Sequence, residues 1–571
     1  MAQTPHISAQ DQAAGFTPKM RTLALIVVAM AFIMDLLDTT IVNIAIPSIQ
    51  ANLGATYSTI QWLIAGYALT FATLLITGGR MGDVFGYKKM FMWGVAGFTL
   101  ASLLCGVAWD SQVLIAARLL QGSMAALMVP QVMSLMQVMY KPHERGGIMG
   151  IFGALAGVAA TLGPIIGGIL IHMNIAGLDW RPIFLINIPV GIFALLAGRK
   201  YLPNGKAPHP LKLDIIGTVI IAVALFLLVL PLIEGRELGW PTWSFVMMAA
   251  SVPMLFIFAW WQRVKDKKDG SPLVVPALVR IKTFVVGLSI NLIFEGAMIG
   301  FFLPFTLLLQ VGLGFSVIKA ALTGIPTAIG ISVTMAVFSQ KIIGKLGRNA
   351  MVLGIVLMGS GLSLLYVMLK KFGLDMSAFA FIPGLLLVGS GMALIMSPMF
   401  SVALSDIDAK HAGSASGVLN AVQQLGGAIG VALIGLVFFS HISHHAPQSF
   451  DAVVPQLHKE LTALQVPAAA QEQIIASSKT CFVDRSAATD GSEVPESCKQ
   501  LQAAAQNGGL PAETAQQLTN IVTSSAKKAN SLNFVSSFGA AVLFELALLV
   551  IIFFLSFLLP RRIKMSADMA H

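Results

Sequence analysis

Two carboxylates, Asp35 and Asp38, interrupt an apolar run that opens at Leu23 and continues through LDTTIVNIAIP, residues 37 to 47. An ionised Asp at the centre of a membrane helix costs about 2.5 to 3.5 kcal/mol on insertion scales, so an acid kept there needs a working reason. The i, i+3 spacing puts both on one helix face, where they could take up and release a proton or a cation. Arg118, inside RLLQGSMAA, is the complementary charge. Its own segment offers no partner, so it must find a carboxylate, a carbonyl or water. We read Arg118 as an electrostatic partner whose engagement with Asp35 and Asp38 changes with their protonation.

A second candidate centre surrounds Glu295 in NLIFEGAMIGFFLPF, with Phe294, Phe301, Phe302 and Phe305 close in sequence. A carboxylate beside aromatic faces suits a lipophilic cation, because both attract positive charge. Gln310, Asn420 and Gln424, with Asp35, complete the candidate substrate-facing set. Glu545 reads as a satisfied or lipid-edge acid. His441, His444 and His445 have a spacing that could share one helix face for a transition metal. No acid or cysteine completes that set nearby, so they read as a polar helix end.

These groups need a membrane to be unusual, and the composition supplies one. The 571 residues are 56% hydrophobic and 11% charged, with mean hydropathy +0.81. Fourteen stretches are long and apolar enough to cross about 30 Å of hydrocarbon as helices. They fall near 22–46, 57–79, 90–109, 113–138, 147–171, 182–201, 212–234, 242–262, 283–311, 317–343, 350–370, 377–401, 413–440 and 534–558. The chain is therefore expected to be an all-α integral membrane protein. Basic clusters such as Lys88 and Lys89, Arg199 and Lys200, Lys341 and Lys345, and Arg561 and Arg562 alternate with nearly uncharged connections. The positive-inside rule then puts both termini in the cytoplasm. The formal charge of +10 follows from that topology and from anionic lipid, and calls for no nucleic acid. Residues 1–19 lack a secretory leader's apolar core and are expected to be a disordered cytoplasmic tail.

The expected divisions are a first six-helix half over 20–201, an inserted pair over 202–263, and a second half over 264–440. An extracytoplasmic segment then occupies 441–533, followed by the last span over 534–559 and a tail over 560–571. Amphipathic spacing of Leu457, Leu461 and Leu464, and again of Leu518, Ile521 and Val522, gives the outer segment short helices. Cys481 and Cys498 both lie there, outside the reducing cytoplasm, and are expected to form a disulfide. Cys105, in an apolar helix, reads as a small core residue.

A repeat joins the halves. GRMGDVFGYKK, carrying Gly79, Gly82, Asp83, Gly86, Lys88 and Lys89, follows the second span. IGKLGR, residues 343 to 348, follows the tenth and has Gly344 where the first copy has Asp83. The glycines permit a tight turn, Asp83 could cap a helix, and the lysines attract anionic headgroups. Gly163-Pro164, with Gly167 and Gly168, would interrupt the fifth helix and allow close packing at a rocking joint.

Together these segments resemble the fourteen-helix drug:proton antiporter branch of the major facilitator superfamily, the EmrB/QacA type. LDTTIVNIAIP looks like that branch's first-helix motif and GRMGDVFGYKK like the superfamily's loop motif. Arg118, Gln121 and Gly122 look like the fourth-helix coupling motif, and GALAGVAATLGPIIGG, residues 153 to 168, like the fifth-helix antiporter motif. WRPIFLINIPVG, LDIIG and AGSASGVLNAVQQLGGAIG add branch-level matches. The resemblance implies a major facilitator fold of two six-helix halves plus two inserted helices. It also implies export of amphipathic, cationic compounds driven by a proton gradient, with no cofactor. The core of the tenth span lacks the extra acids of relatives that expel divalent cations, which speaks against that cargo. A monomer in the bacterial inner membrane is expected, with a periplasmic adaptor as an open partner. Two alternatives stand beside the exporter: export of one specific metabolite, and an envelope interaction or sensor protein acting through the outer segment. No nucleotide-binding loop or nucleophile constellation suggests an enzyme.

Overall fold

The computed structural model describes residues 18–140, 142–207, 212–235, 237–337, 346–404, 406–407, 412–488, 494–507 and 512–560. Most of the two expected tails, Lys141 and most of the second loop copy lie outside the described residues, which contain helices and no strand; Pro18 and Lys19, expected in the first tail, open the first helix. Lipid dictates this outcome, since a spanning backbone must satisfy its polar groups internally.

The helices are α1 (Pro18–Leu53), α2 (Tyr57–Phe85), α3 (Tyr87–Gly106), α4 (Ser111–Met139), α5 (Pro142–Met173) and α6 (Pro182–Tyr201). There follow α7 (Ile215–Glu234), α8 (Thr242–Asp269), α9 (Lys282–Leu307), α10 (Val317–Met335), α11 (Arg348–Phe372), α12 (Ile382–Ala403) and α13 (Ala412–Asp451). The outer segment adds α14 (Val454–Ala463), α15 (Ala468–Ala487) and α16 (Glu496–Asn507), and α17 (Ala512–Ser556) closes the chain. Among the described residues thirteen helices are long and apolar enough to span a membrane. Helix α5 contributes the further apolar stretch Leu162–Met173.

Glycine contacts reveal the internal repeat. A Cβ on Gly78 of α2 would lie 2.1 Å from Ala126 O of α4, and one on Gly330 of α10 2.4 Å from Leu386 O of α12. On α3, Gly94 meets Met128 of α4 as Gly354 of α11 meets Gly391 of α12. Gly163 and Gly167 of α5 press on Thr40 and Ile41 of α1, while Gly426 and Gly430 of α13 press on Leu292 and Gly296 of α9. Each pairing recurs eight helices later. Backbones that approach this closely gain dispersion contacts, which drive association where lipid removes the hydrophobic incentive.

The two sets of helices meet at the ends that carry the α1–α2 and α9–α10 turns. There Tyr57 of α2 stacks on Phe439 of α13 with ring centroids 4.0 Å apart, and Gly168 of α5 faces Ala321 of α10. Gln310 sits in a π-helical turn, Leu308–Gly312, at the end of α9. Its amide donates to Ile44 O of α1 at 3.1 Å. One hydrophobic cluster runs across this closure from Ile44 and Ile49 to Phe301 and Leu309. Toward the opposite ends of the helices, a separate cluster built on Val28, Phe91, Leu135 and Met139 belongs to the first set, with Ala421 of α13 at its edge.

Several local features differ from the sequence reading. Helix α5 runs continuously through Gly163-Pro164, although Pro164 has no N–H to give the ladder, and Gly163 and Gly167 lie against α1. Asp83 caps no helix. Gly86, at φ +102°, is the N-cap of α3, and Asp83 instead accepts from the Tyr87 hydroxyl at 3.1 Å. Lys88 donates to Arg199 O at 2.8 Å, while Lys89 stays exposed. Gly82 makes room for the Gln131 side chain. Hydropathy ends the thirteenth span at 440 and starts the last at 534, yet α13 continues to Asp451 and α17 begins at Ala512. Both extensions carry an apolar face: Ala446 and Phe450 pack with Leu457, Leu461, Ile475, Phe482 and Leu518 as the core of an outer cap.

Cys481 of α15 and Cys498 of α16 are disulfide-bonded across that cap. Closing a loop of this size removes up to about 3 kcal/mol of unfolded-chain entropy. Cys481→Ser should therefore speed amide hydrogen exchange in α15 and α16 and leave α1 to α12 unchanged. Unaltered exchange in the cap would mean that its apolar core alone holds it.

Candidate functional site

The first centre forms where five helices converge. Asp38 and Arg118 are buried, and an Arg118 guanidinium nitrogen lies 2.5 Å from Asp38 Oδ2. The same nitrogen donates to Gln121 Oε1 at 2.8 Å, and Arg118 Nε to Leu63 O of α2 at 2.9 Å. Asp38 Oδ1 accepts from Gln121 Nε2 at 2.8 Å and from Asn187 Nδ2 of α6 at 2.9 Å. Asn187 also donates to Ser102 Oγ of α3 at 2.8 Å, and Ser102 donates to Phe184 O at 3.0 Å. The carboxylate thus has three side-chain donors. A buried ion pair persists only when its remaining polar atoms are satisfied in this way.

Asp35 joins this network by another route. It accepts a hydrogen bond from the Tyr67 hydroxyl of α2. The Arg118 guanidinium lies over the Tyr67 ring, 4.5 Å from its centroid. A continuous chain therefore runs from Asp35 through Tyr67 and Arg118 to Asp38. Spacing predicts two acids on one face; the structure gives each its own partner, with Arg118 touching both partnerships. Protonating Asp38 would remove the charge that holds Arg118, and the guanidinium would need another acceptor. Such a site can convert a proton into a change of helix contacts.

The second centre is simpler. Glu295 is buried in α9 and accepts from Gln423 Nε2 of α13 at 2.7 Å. Neighbouring Asn291 donates to Leu419 O at 2.9 Å. Phe302 is partly buried, whereas Phe294 and Phe301 are core residues. Phe301 stacks on Phe305 at 5.1 Å and packs against Phe538 of α17 at 5.9 Å. Asn420 is exposed and donates to Ser416 O. Gln424 is half-buried. Of the polar candidates, Gln310 alone bridges the two helix sets.

Sequence reasoning passed over Asn187 and Tyr67 as site residues. Asn187 carried a usable signal, an amide in the apolar stretch IFLINIPVG. Tyr67 carried none, because a tyrosine in a membrane helix is ordinary. Arg80, counted in the sequence with the cytoplasmic charges, is buried and donates to Ser271 O at 2.7 Å and to Pro272 O. Glu545 is buried with Oε2 lacking a hydrogen-bond partner. Among the histidines, the His441 and His445 rings lie 5.0 Å apart and His441 Nδ1 meets Ser537 Oγ at 3.2 Å. No group of three or more metal-ligating side chains gathers among the described residues.

A repeated bundle of membrane helices that closes at one end around buried acids is the architecture of a membrane transporter. The chain belongs to the Major Facilitator Superfamily, whose family model matches residues 28–431. That is a class of transporters, not of enzymes. The chain is 37% identical over 550 residues to a Streptomyces coelicolor protein named "Probable actinorhodin transporter", covering 96% of this chain and 93% of that one. It is 30% identical to the "Tetracenomycin C resistance and export protein" of Streptomyces glaucescens, over 76% of this chain and 79% of the relative. Among solved structures, the inward-facing, occupied form of a bacterial homologue of the human lysosomal transporter Spinster has the same fold. Its TM-score is 0.54 at 14% identity, covering 97% of this chain and 100% of that one.

Stranding one partner of a buried ion pair costs about 3 to 5 kcal/mol, whereas an apolar replacement of both is close to neutral. Arg118→Met should therefore lower the melting temperature of the lipid-reconstituted protein sharply, and adding Asp38→Leu should restore part of the loss. A double variant no more stable than Arg118→Met would show that the stranded carboxylate is not the cause.

Proposed function

We propose that the protein is a proton-coupled exporter of amphipathic, cationic compounds, of the fourteen-helix EmrB/QacA type. It works in the bacterial cytoplasmic membrane with both termini inside. The observation that carries this reading is the Asp35–Tyr67–Arg118–Asp38 chain, acids and a base linked in one buried network where helices converge. A proton moving inward gains about 2.3 kcal/mol per 100 mV, which supports about a 40-fold concentration gradient. Exchange of one proton for one monovalent cation cancels the voltage contribution. More than one titrating acid therefore helps a pump of cations, and Glu295 supplies a further one. Alternating access would rock one helix set against the other around these acids. The outer closure at Tyr57, Phe439 and Gln310 would open in the alternate state. Protons and amphipathic substrates are its partners, together with anionic lipid at the basic cytoplasmic loops.

A second reading, export of one dedicated metabolite, is favoured by the relative named a probable actinorhodin transporter, which matches across 96% of the chain. The two readings differ in substrate breadth. Ethidium efflux from energised cells tests both. Under the multidrug reading ethidium leaves the cell and a protonophore stops it. Ethidium that is never moved points to the dedicated exporter, and movement indifferent to protonophore rejects proton coupling. Asp35→Asn and Glu295→Gln should each depress export of cations more than export of neutral compounds. Equal losses would remove both residues from the substrate path.

A further inference from the structure

Helix α6 touches the Asp38 site near one end and the loop between α2 and α3 at the other, and the transport reading gives it no part. It consists of two pieces, Pro182–Leu185 and Asn187–Tyr201, that meet at Ile186. Ile186 keeps helical torsions, φ −59° and ψ −25°, so the pieces stay nearly in line. The weakness lies in the hydrogen-bond ladder. Pro189 has no N–H to offer Leu185 O, and a helix bends most readily where its ladder is interrupted. Side chains of the Asp38 site brace this point from both sides. Ser102 Oγ of α3 donates to Phe184 O, just before the break, at 3.0 Å. Asn187, the first residue after it, donates to Ser102 Oγ at 2.8 Å and to Asp38 Oδ1 at 2.9 Å. Asp38, Ser102 and Asn187 are all buried. Helix α17, which takes the place of α6 in the repeat, runs unbroken from Ala512 to Ser556. The break therefore belongs to the half that holds Asp38.

Beyond Asn187, α6 continues as a single rod along α3. Gly191 leaves no room for a Cβ beside Thr99, and a Cβ on Gly198 would lie 2.9 Å from Met92 Sδ. Contact of this kind depends on surface fit, with few directional bonds. At the far end directional bonds return. Lys88 Nζ donates to Arg199 O at 2.8 Å, and the Tyr87 N–H donates to Gly205 O at 2.8 Å. The Tyr87 hydroxyl in turn donates to Asp83 at 3.1 Å. Asn187 and Arg199 lie on one helix, about 18 Å apart at about 1.5 Å per residue. One continuous segment thus joins the carboxylate of Asp38 to the loop that carries Asp83, Tyr87 and Lys88.

We propose that Asn187 is a positioning residue that passes the protonation state of Asp38 into α6, and that Asn187–Tyr201 is the lever that carries it to this loop. Charge gives the link its sensitivity, because a hydrogen bond to an ionised carboxylate is roughly twice as strong as one to a neutral acceptor. With Asp38 ionised, Asn187 is held and the break is braced. With a proton on Asp38 the brace slackens, α6 flexes at Ile186, and Arg199 and Gly205 shift against Lys88 and Tyr87. The titratable groups around Asp38 come from other helices: Arg118 of α4, Asp35 of α1 itself and, beneath Arg118, Tyr67 of α2. The Cys105 thiol of α3 lies 3.7 Å from Gln121 Oε1. From α6 the carboxylate meets the Asn187 amide, which follows the charge of Asp38 and adds none of its own. The inference rests on the proton-coupling reading and deepens it by naming the route from the buried acid to the loop.

The test uses the full-length protein in lipid nanodiscs, with an environment-sensitive, pH-insensitive fluorophore on one of two introduced cysteines. Lys89→Cys reports on the loop, and Ser316→Cys, before α10, reports on the closed end of the bundle; both positions are exposed. Cys105 is buried and Cys481 is bonded to Cys498, so the label goes to the introduced thiol. With no further change, both reporters should step in emission across a pH series, and Asp38→Asn should abolish both steps. Asn187→Leu should abolish the step at Lys89→Cys and leave the step at Ser316→Cys in place. Ser102→Ala, which frees Phe184 O, should weaken the loop step in the same way, and it decides the matter if Asn187→Leu does not fold. A loop step of full size in these variants overturns the proposal. Loss of both steps in Asn187→Leu overturns it too, since that is the result of a merely structural residue. Absence of a step at either reporter in the protein with native Asp38 and Asn187 removes the proton-coupling reading itself, and this inference with it.

Discussion

A carboxylate and a guanidinium held 2.5 Å apart inside a lipid-embedded bundle impose the strictest demand in this molecule. Desolvating two such ions costs several kcal/mol each, and the site recovers it only if every remaining lone pair and proton is used. That demand accounts for the arrangement around it. Gln121 and Asn187 fill Asp38 Oδ1, Leu63 O takes Arg118 Nε, and Ser102 ties Asn187 to the backbone of Phe184. Each of these groups sits on a different helix from Asp38, so the pair fixes the relative rotation of α1, α2, α3, α4 and α6. Under the proposed coupling, a single proton on Asp38 would act on all five.

Glycine supplies the complementary property, freedom to approach. The contacts Gly78 to Ala126 and Gly330 to Leu386, and Gly163 to Thr40 and Gly430 to Gly296, repeat across the two helix sets. Packing of this kind depends on surface fit, with few directional bonds crossing it, and it contrasts with the polar knot at Arg118. The first set is thus pinned internally by hydrogen bonds, while its meeting with the second rests mainly on apolar contacts, the Tyr57–Phe439 stack and Gly168 on Ala321 among them, and on the Gln310 amide. Under the proposed rocking motion those are the contacts that would break. The inserted α7 covers the α2–α13 line laterally, so α2 and α13 are shielded from lipid there.

Much of the fold could be read from the chain because hydropathy is a direct measure of what lipid demands. Spans from α1 to α12 appear near their expected positions, and the helical outer segment follows from the leucine spacing at 457, 461 and 464. The extensions of α13 and α17 were not legible, since hydropathy stops where water begins while the helices continue on an amphipathic face. At the site, Asp38 and Arg118 stood out because charge in an apolar run is costly. The pairing of Asp35 with Tyr67 depends on tertiary approach of α1 to α2, which no local pattern encodes. The packing of the aromatic run after Glu295 was hidden for a related reason. Helical geometry turns Phe301 and Phe305 toward Phe538, into the core.

The central claim is that protonation at Asp38 governs how the two helix sets meet. It is tested most directly by pulsed electron–electron distance measurements between spin labels at Ile175, beyond α5, and Ser316, before α10, in nanodiscs across a pH series. The account predicts a distance distribution that shifts between two populations with pH in the wild type and stays in one population in Asp38→Asn. A pH response in Asp38→Asn identical to that of the wild type would contradict it.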